Sequence, residues 1–172
     1  AKAVNFGIVY GQQAFGLASS LKISRAEAQE MIDRYFEAYP GVRAFLDDAV
    51  RRAHECGYAV TLYGRKRHIK EFAQRNRQLV AFGERTAMNH PMQGTAADII
   101  KLAMVRVAER LHEEGLSSKL VLQIHDELDL EVPEAEIETV SALVRETMEG
   151  VVTLRVPLLA EVSYGANWAE AK

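Results

Sequence analysis

The stretch Leu120–Val132, LVLQIHDELDLEV, constrains the fold more than any other. Leu120, Leu122 and Ile124 alternate with Val121, Gln123 and His125, the period of a β-strand. Leu128, Leu130 and Val132 alternate with Asp129 and Glu131, so a second strand follows. Between them there is room only for a tight turn within His125–Glu127. That turn lacks the Asn-Gly or Asp-Gly favoured by two-residue hairpins. An imidazole and two carboxylates stand there instead, at an exposed tip. A local rule broken at a polar cluster is where function is expected. Asp126 and Glu127 offer hard oxygen ligands suited to Mg²⁺, which binds through one or two carboxylates plus substrate phosphates. The competing reading is a solvated acidic turn, because an isolated His-Asp-Glu carries little specificity.

The rest of the chain bounds what such a hairpin belongs to. Its 172 residues fit one domain with a real core. Lys and Arg number 21 against 24 Asp and Glu, so bulk charge does not advertise nucleic acid and any such site is local. The single Cys56 forms no internal disulfide, which fits a reducing cytoplasm. No apolar run is long enough to span a bilayer. A structured pattern begins at Ala1 with no initiator Met, so the sequence reads as cut from something longer.

Ala1–Gln13 reads as a helix whose Lys2, Phe6 and Tyr10 share one stripe. A cation followed by two aromatics suits a ligand with phosphates at one end and rings at the other. The competing reading is an amphipathic core helix with an exposed lysine. Gly7 and Gly11 flank the stripe and suggest close approach of a ligand or another backbone. Ser24 and Glu27 form a capping box for a second helix, with Ala28, Met31, Ile32, Tyr35, Phe36 and Tyr39 as its buried stripe. Pro40 opens a third helix, with Val42, Phe45, Leu46, Ala49, Val50 and Ala53 as its apolar face, and Gly57 closes it.

Tyr58–Tyr63 and His68–Ile69 then suggest a hairpin with a basic tip, Gly64-Arg65-Lys66-Arg67. With Lys70 this is the densest positive patch, able to hold a phosphate backbone or simply to be solvated. Gln74–His90 is predicted helical up to a break at Pro91, with a long helix restarting at Gln93 and ending at Gly115. Ile99, Leu102, Ala103, Val107 and Leu111 give that helix a buried face. Pro133 opens a helix through Gly150, and Val156–Tyr164 reads as a last strand able to pair with the central hairpin.

Each signal is weak alone, but their order is specific. Lys2-x-x-Asn5-Phe6-Gly7-x-x-Tyr10-Gly11 resembles the second half of the nucleotide-binding helix motif of family A DNA polymerases, the bacterial DNA polymerase I type. Arg85-x-x-x-Asn89-x-Pro91-x-Gln93-Gly94-Thr95-Ala96-Ala97-Asp98 resembles that family's helix pair along the DNA minor groove. Gln123-Ile124-His125-Asp126-Glu127 resembles its palm carboxylate motif, and Pro157-Leu158 through Asn167-Trp168 its C-terminus.

The resemblance implies roles. Lys2 would contact the triphosphate and donate a proton to the leaving pyrophosphate. Phe6 would pack on the nucleotide, and Tyr10 would stack at the template position. Arg85, Asn89, Gln93 and His125 would contact primer–template DNA. Asp126 would bind the catalytic metals, with Glu127 in support. Two Mg²⁺ ions are implied, their other main carboxylate ligand lying upstream of residue 1. Implied partners are primer–template DNA, deoxynucleoside triphosphates and the missing N-terminal part, with self-association as a further option. The expected location is the bacterial cytoplasm or nucleoid.

The fold expected is α+β: a mostly helical fingers portion, residues 1–90, and a partial palm, residues 91–172, with a small antiparallel sheet from the hairpin and the last strand. The isolated chain is expected to be inactive, because no thumb and no first carboxylate motif are encoded. The alternatives are a non-catalytic nucleic-acid-binding module and a piece of a related single-subunit RNA polymerase. Glu127 and Phe6 favour the DNA enzyme over the latter. A metallohydrolase built on His125, Asp126 and Glu127 lacks a further ligand set.

Overall fold

The computed structural model describes residues 2–171, leaving the side chains of Lys2 and Ala3 outside that description. The chain is α+β, as its sequence predicts: six α-helices and two separate two-stranded antiparallel sheets among the described residues. It divides into two compact units, Ala1–Thr95 and Ala96–Lys172.

The first unit begins with α1 (Lys2–Val9), shorter than the Ala1–Gln13 helix predicted. Gly11 ends it with φ +76, and a further helix absent from the sequence reading, α2 (Ala14–Leu21), follows. Ile8, Ala14, Leu17 and Ala18 bury against Ala28 and Ile32 of α3 (Arg25–Ala38). The Ser24–Glu27 capping box forms in both directions, at 3.2 and 2.9 Å. The predicted stripe of α3 is only partly buried. Met31 and Tyr39 are exposed, and the rings of Tyr35, Phe36 and Tyr39 pack on one another at the rim of the cluster. Helix α4 (Pro40–Cys56) has its proline in the first turn and ends at Gly57, φ +78, as its sequence specifies. Leu46 and Ala53 bury, while Phe45 stays exposed.

The next hairpin turns earlier than predicted. Strands β1 (Tyr58–Val60) and β2 (Lys66–His68) pair with Tyr58 opposite His68. Thr61 N donates to Arg65 O at 3.0 Å and Gly64 N to Thr61 O at 3.0 Å, so the chain turns back at Thr61. Lys66 and Arg67 therefore lie in a strand rather than at the tip. After a 3₁₀ turn at Lys70–Ala73, helix α5 runs unbroken from Arg77 to Glu113. Pro91 sits inside it, so the predicted break does not occur. A proline costs one ladder bond and about 3 kcal/mol. Packing offsets that cost: Ala87 and His90 are buried just before it, and Gly94 just after.

In the second unit, β3 (Lys119–Ile124) and β4 (Glu127–Glu131) form the central hairpin, pairing Lys119 with Glu131 and Ile124 with Glu127. The register shifts between Leu120 and Leu122. An extra residue in one strand reverses which face its side chains take. Leu120 consequently packs with Leu128, Leu130 and Val132 on the core of Val107, Leu111, Val140, Leu143 and Val144, while Val121 and Leu122 are exposed. The plain alternation read from the sequence is corrected by that bulge. Helix α6 (Ile137–Gly150) closes the unit after a 3₁₀ turn at Glu134–Glu136.

The predicted last strand does not form. Residues 152–164 hold no regular element, and Ala160 N donates to Glu149 Oε1 at 3.0 Å instead of to a ladder. Leu158–Trp168 lines one side of a cleft of about 1390 Å³, and Asp126–Val132, which contains β4, lines another. Among the described residues the tail lines the same cleft as the hairpin but forms no strand ladder with it. Among the described residues no helix is long and apolar enough to cross a membrane.

Candidate functional site

Two regions carry the residues singled out from the sequence. The first lies where α1 ends. Phe6 and Tyr10, one turn apart, stack with centroids 5.9 Å apart and planes 18° from parallel. Both rings are substantially exposed, at 47% and 37%. Lys2 starts the same helix, but its side chain lies outside the described residues.

Gly11 brings α5 to this aromatic pair. A Cβ on Gly11 would sit 2.9 Å from Met88 Sδ and 3.3 Å from Arg85 Cγ. Asn89 Nδ2 lies 3.5 Å from the Tyr10 carbonyl, a long and weak hydrogen bond, and its buried Oδ1 accepts none. The structure thus brings Tyr10, Arg85 and Asn89 together from segments distant in sequence. Gln93, two turns beyond Arg85 on the same helix face, is exposed. The space beside Gly7 is taken by the side chain of Gln12, and that beside Gly11 by Met88 and Arg85. The close approach inferred at both glycines is therefore to the chain's own side chains.

The second region is the β3–β4 tip. His125 and Asp126 form a two-residue turn, with His125 at φ +51. A non-glycine residue in this left-handed region costs about 1–2 kcal/mol. Gln123 Nε2 donates to the His125 carbonyl at 2.7 Å and holds the turn. His125, Asp126 and Glu127 all face solvent. Lys22, φ +56 at the end of α2, is the other non-glycine residue with a positive φ among the described residues.

The donor set at the tip is two adjacent exposed carboxylates, and no group of three or more His, Cys, Asp or Glu converges on one point among the described residues. That set fits Mg²⁺, which keeps several waters and shares its shell with substrate phosphates. It does not fit a closed, all-protein metal cage.

The basic patch is partly committed to structure. Lys66 Nζ sits 4.4 Å above the Tyr58 ring, and Arg65 Nη2 donates to the Gly94 carbonyl at 2.8 Å. Arg67 and Lys70 are exposed. Sequence reasoning missed Asp129, whose Oδ2 is buried without a hydrogen-bond partner. Simple alternation put it among solvated acids, and only the bulge reveals otherwise. It also missed the anchoring use of Arg65, which no local pattern signals.

Taken with this geometry, comparison with known proteins defines the class. The family model described as DNA polymerase family A matches residues 1–170, and the chain belongs to that family. Members of this family are generally metal-dependent. Similar proteins are the DNA polymerase I of Caldicellulosiruptor bescii, 52% identical over 172 residues, and that of Geobacillus stearothermophilus, 53% identical over the same length. All of this chain is covered in each case, but only 20% of the relative, so the chain spans about a fifth of the length of these proteins. A solved structure of the POL domain of Pol1 from M. smegmatis, in complex with DNA primer-template and dNTP, superposes with a TM-score of 0.95 at 45% identity. It covers 99% of this chain and 30% of that one.

Proposed function

We propose that this chain is the fingers and part of the palm of a DNA-directed DNA polymerase that extends a primer 3′-hydroxyl with deoxynucleotides in replication and repair. The observation that carries the reading is the family match over residues 1–170, with a relative of the same fold solved bound to primer-template and dNTP. Residues 1–90 form mainly the fingers portion and residues 91–172 mainly the palm portion.

The chain's own residues divide the work as follows. Lys2 places a point charge on the phosphates of the incoming nucleotide and gives a proton to the leaving pyrophosphate. Phe6 packs on the sugar and base. Tyr10, stacked on Phe6, occupies the template position until a base replaces it. Arg85, Asn89 and Gln93 hydrogen-bond the minor groove near the primer terminus. Its acceptors are alike for A·T and T·A, so such contacts test pairing geometry without reading sequence. His125 touches the primer strand from the rigid turn. Asp126, with Glu127 in support, would hold Mg²⁺ at the primer end. Two such ions would supply the charge stabilisation that phosphoryl transfer to the primer 3′-hydroxyl needs. The second main carboxylate ligand belongs to the part of the polymerase outside this chain, as do the remaining partner surfaces. The enzyme works in the cytoplasm, on nucleoid DNA.

Primer extension tests the reading. A full-length polymerase carrying this segment extends a primer with deoxynucleotides in preference to ribonucleotides, and the 172-residue chain alone gives no extension. Robust synthesis by the isolated chain would overturn the division of labour proposed here.

A further inference from the structure

The loop between β1 and β2 is fastened to α5 by more polar contacts than a surface hairpin needs. Leu62 N donates to Thr95 Oγ1 at 2.9 Å, and Arg65 Nη2 to the Gly94 carbonyl at 2.8 Å. His90 Nε2 lies 3.3 Å from the Arg65 carbonyl, and Arg65 N donates to Thr61 Oγ1 at 3.1 Å. Thr95 Oγ1 in turn donates to the Pro91 carbonyl. Thr61 and His90 are buried, at 5% and 7% exposure. A Cβ on Gly94 would lie 2.6 Å from Thr61 Cγ2 and 2.9 Å from His90 Cε1, so the loop seats on bare helix backbone.

The location of this fastening gives it meaning. His90 and Gly94 are one turn apart on α5. Arg85, Asn89 and Gln93 form the neighbouring stripe, about 100° around the helix from 90 and 94. The loop therefore grips the helix beside the stripe and at the turn from which Gln93 projects. Pro91 removes an N–H from that same turn, so the helix's own ladder is weakest where the loop holds it.

We propose that the 61–65 loop is a brace that fixes the roll of α5 at Gln93, with Arg65 and His90 as positioning residues that act through the helix and do not touch nucleic acid. This rests on the reading of Gln93 as a primer–template contact. The competing role for an arginine on a basic loop is direct phosphate binding, and the two leave different signatures.

The test uses a full-length polymerase carrying this segment, with Arg65→Ala, Gln93→Ala and both together. Amide hydrogen exchange needs no ligand. Arg65→Ala speeds exchange at Leu62 and across residues 93–97 by about tenfold, the size expected for losing one hydrogen bond from a charged donor. Unchanged exchange there overturns the brace. Affinity for a primer–template duplex is then followed against KCl concentration. Under the brace, the double variant binds no more weakly than Gln93→Ala alone, and Arg65→Ala keeps the salt slope of the parent. Additive losses, with the slope reduced by about one, make Arg65 a phosphate contact and overturn the proposal. If Gln93→Ala leaves affinity unchanged, the reading of Gln93 fails, while the exchange result still decides whether the loop holds the helix.

Discussion

At the β3–β4 tip every group that matters lies within a few residues: Gln123 holds the His125 carbonyl, and Asp126 and Glu127 follow directly. Around Tyr10 the partners come from far along the chain, with Asn89 meeting the Tyr10 carbonyl across 79 positions. The tip tolerates strain because a short turn between two paired strands fixes it locally. The Tyr10 region depends instead on small residues that let two elements approach, with Gly11 as the contact point. The tip should therefore lose chemistry before it loses stability, and the Tyr10 region should lose both together.

The largest expected effect belongs to the tip. In a full-length polymerase carrying this segment, Asp126→Ala removes several kcal/mol of transition-state stabilisation. Turnover falls on the order of a thousandfold, with primer–template affinity largely kept. Steady-state kinetics beside a binding titration measure both; a parallel loss of affinity would erase the contrast between the regions. Gly11→Val comes next. It forces a β-branched side chain into a left-handed backbone, with Met88 Sδ 2.9 Å from the new Cβ. Denaturant unfolding of the 172-residue chain should show a loss of about 1–3 kcal/mol, and DNA affinity should fall with it. His125→Gly should do the reverse of a typical core change. It relieves about 1 kcal/mol of left-handed strain and so leaves the melting temperature level or raised, while primer binding weakens. A melting temperature that falls along with activity would mean that the imidazole supports the fold.

The smallest effect concerns the support beneath the hairpin. The Ser118 hydroxyl first, and then the Ser117 N–H, hold the Glu136 carboxylate below the usual carboxylate range. They donate at 2.6 and 2.9 Å. A carboxyl whose folded pKa is depressed contributes stability above its unfolded value, about 4.3. That contribution is lost as pH falls through the lower folded value. Glu136→Gln should therefore lower stability slightly at neutral pH, with the gap to the parent closing, and the acid limb flattening, as pH falls below about 4. Acid titration monitored by circular dichroism reads this directly.

The same contrast explains what could be read from the letters. The capping box at Ser24, the proline that opens α4, the glycines that close helices and the His125 turn are set by neighbours in the chain, and all were visible there. The approach of Arg85 and Asn89 to Tyr10 was not legible in the sequence, since no local period encodes a contact across 79 residues. Pro91 misled because its local cost is outweighed by burial of His90 and Gly94 on the β1–β2 loop. The bulge misled because one inserted residue leaves the letters alternating while it reverses the faces. The last strand misled because alternation records which side of a segment is apolar, not whether an edge lies within hydrogen-bonding reach.

That open edge has a practical side. β4 is paired only with β3 among the described residues, and its residues line a cleft together with Ile99, Ile100 and Ala103. Unsatisfied strand edges beside apolar surface recruit other polypeptides. A purified preparation of these 172 residues should thus be handled dilute and cold, and its scattering should rise with concentration well before its helices melt.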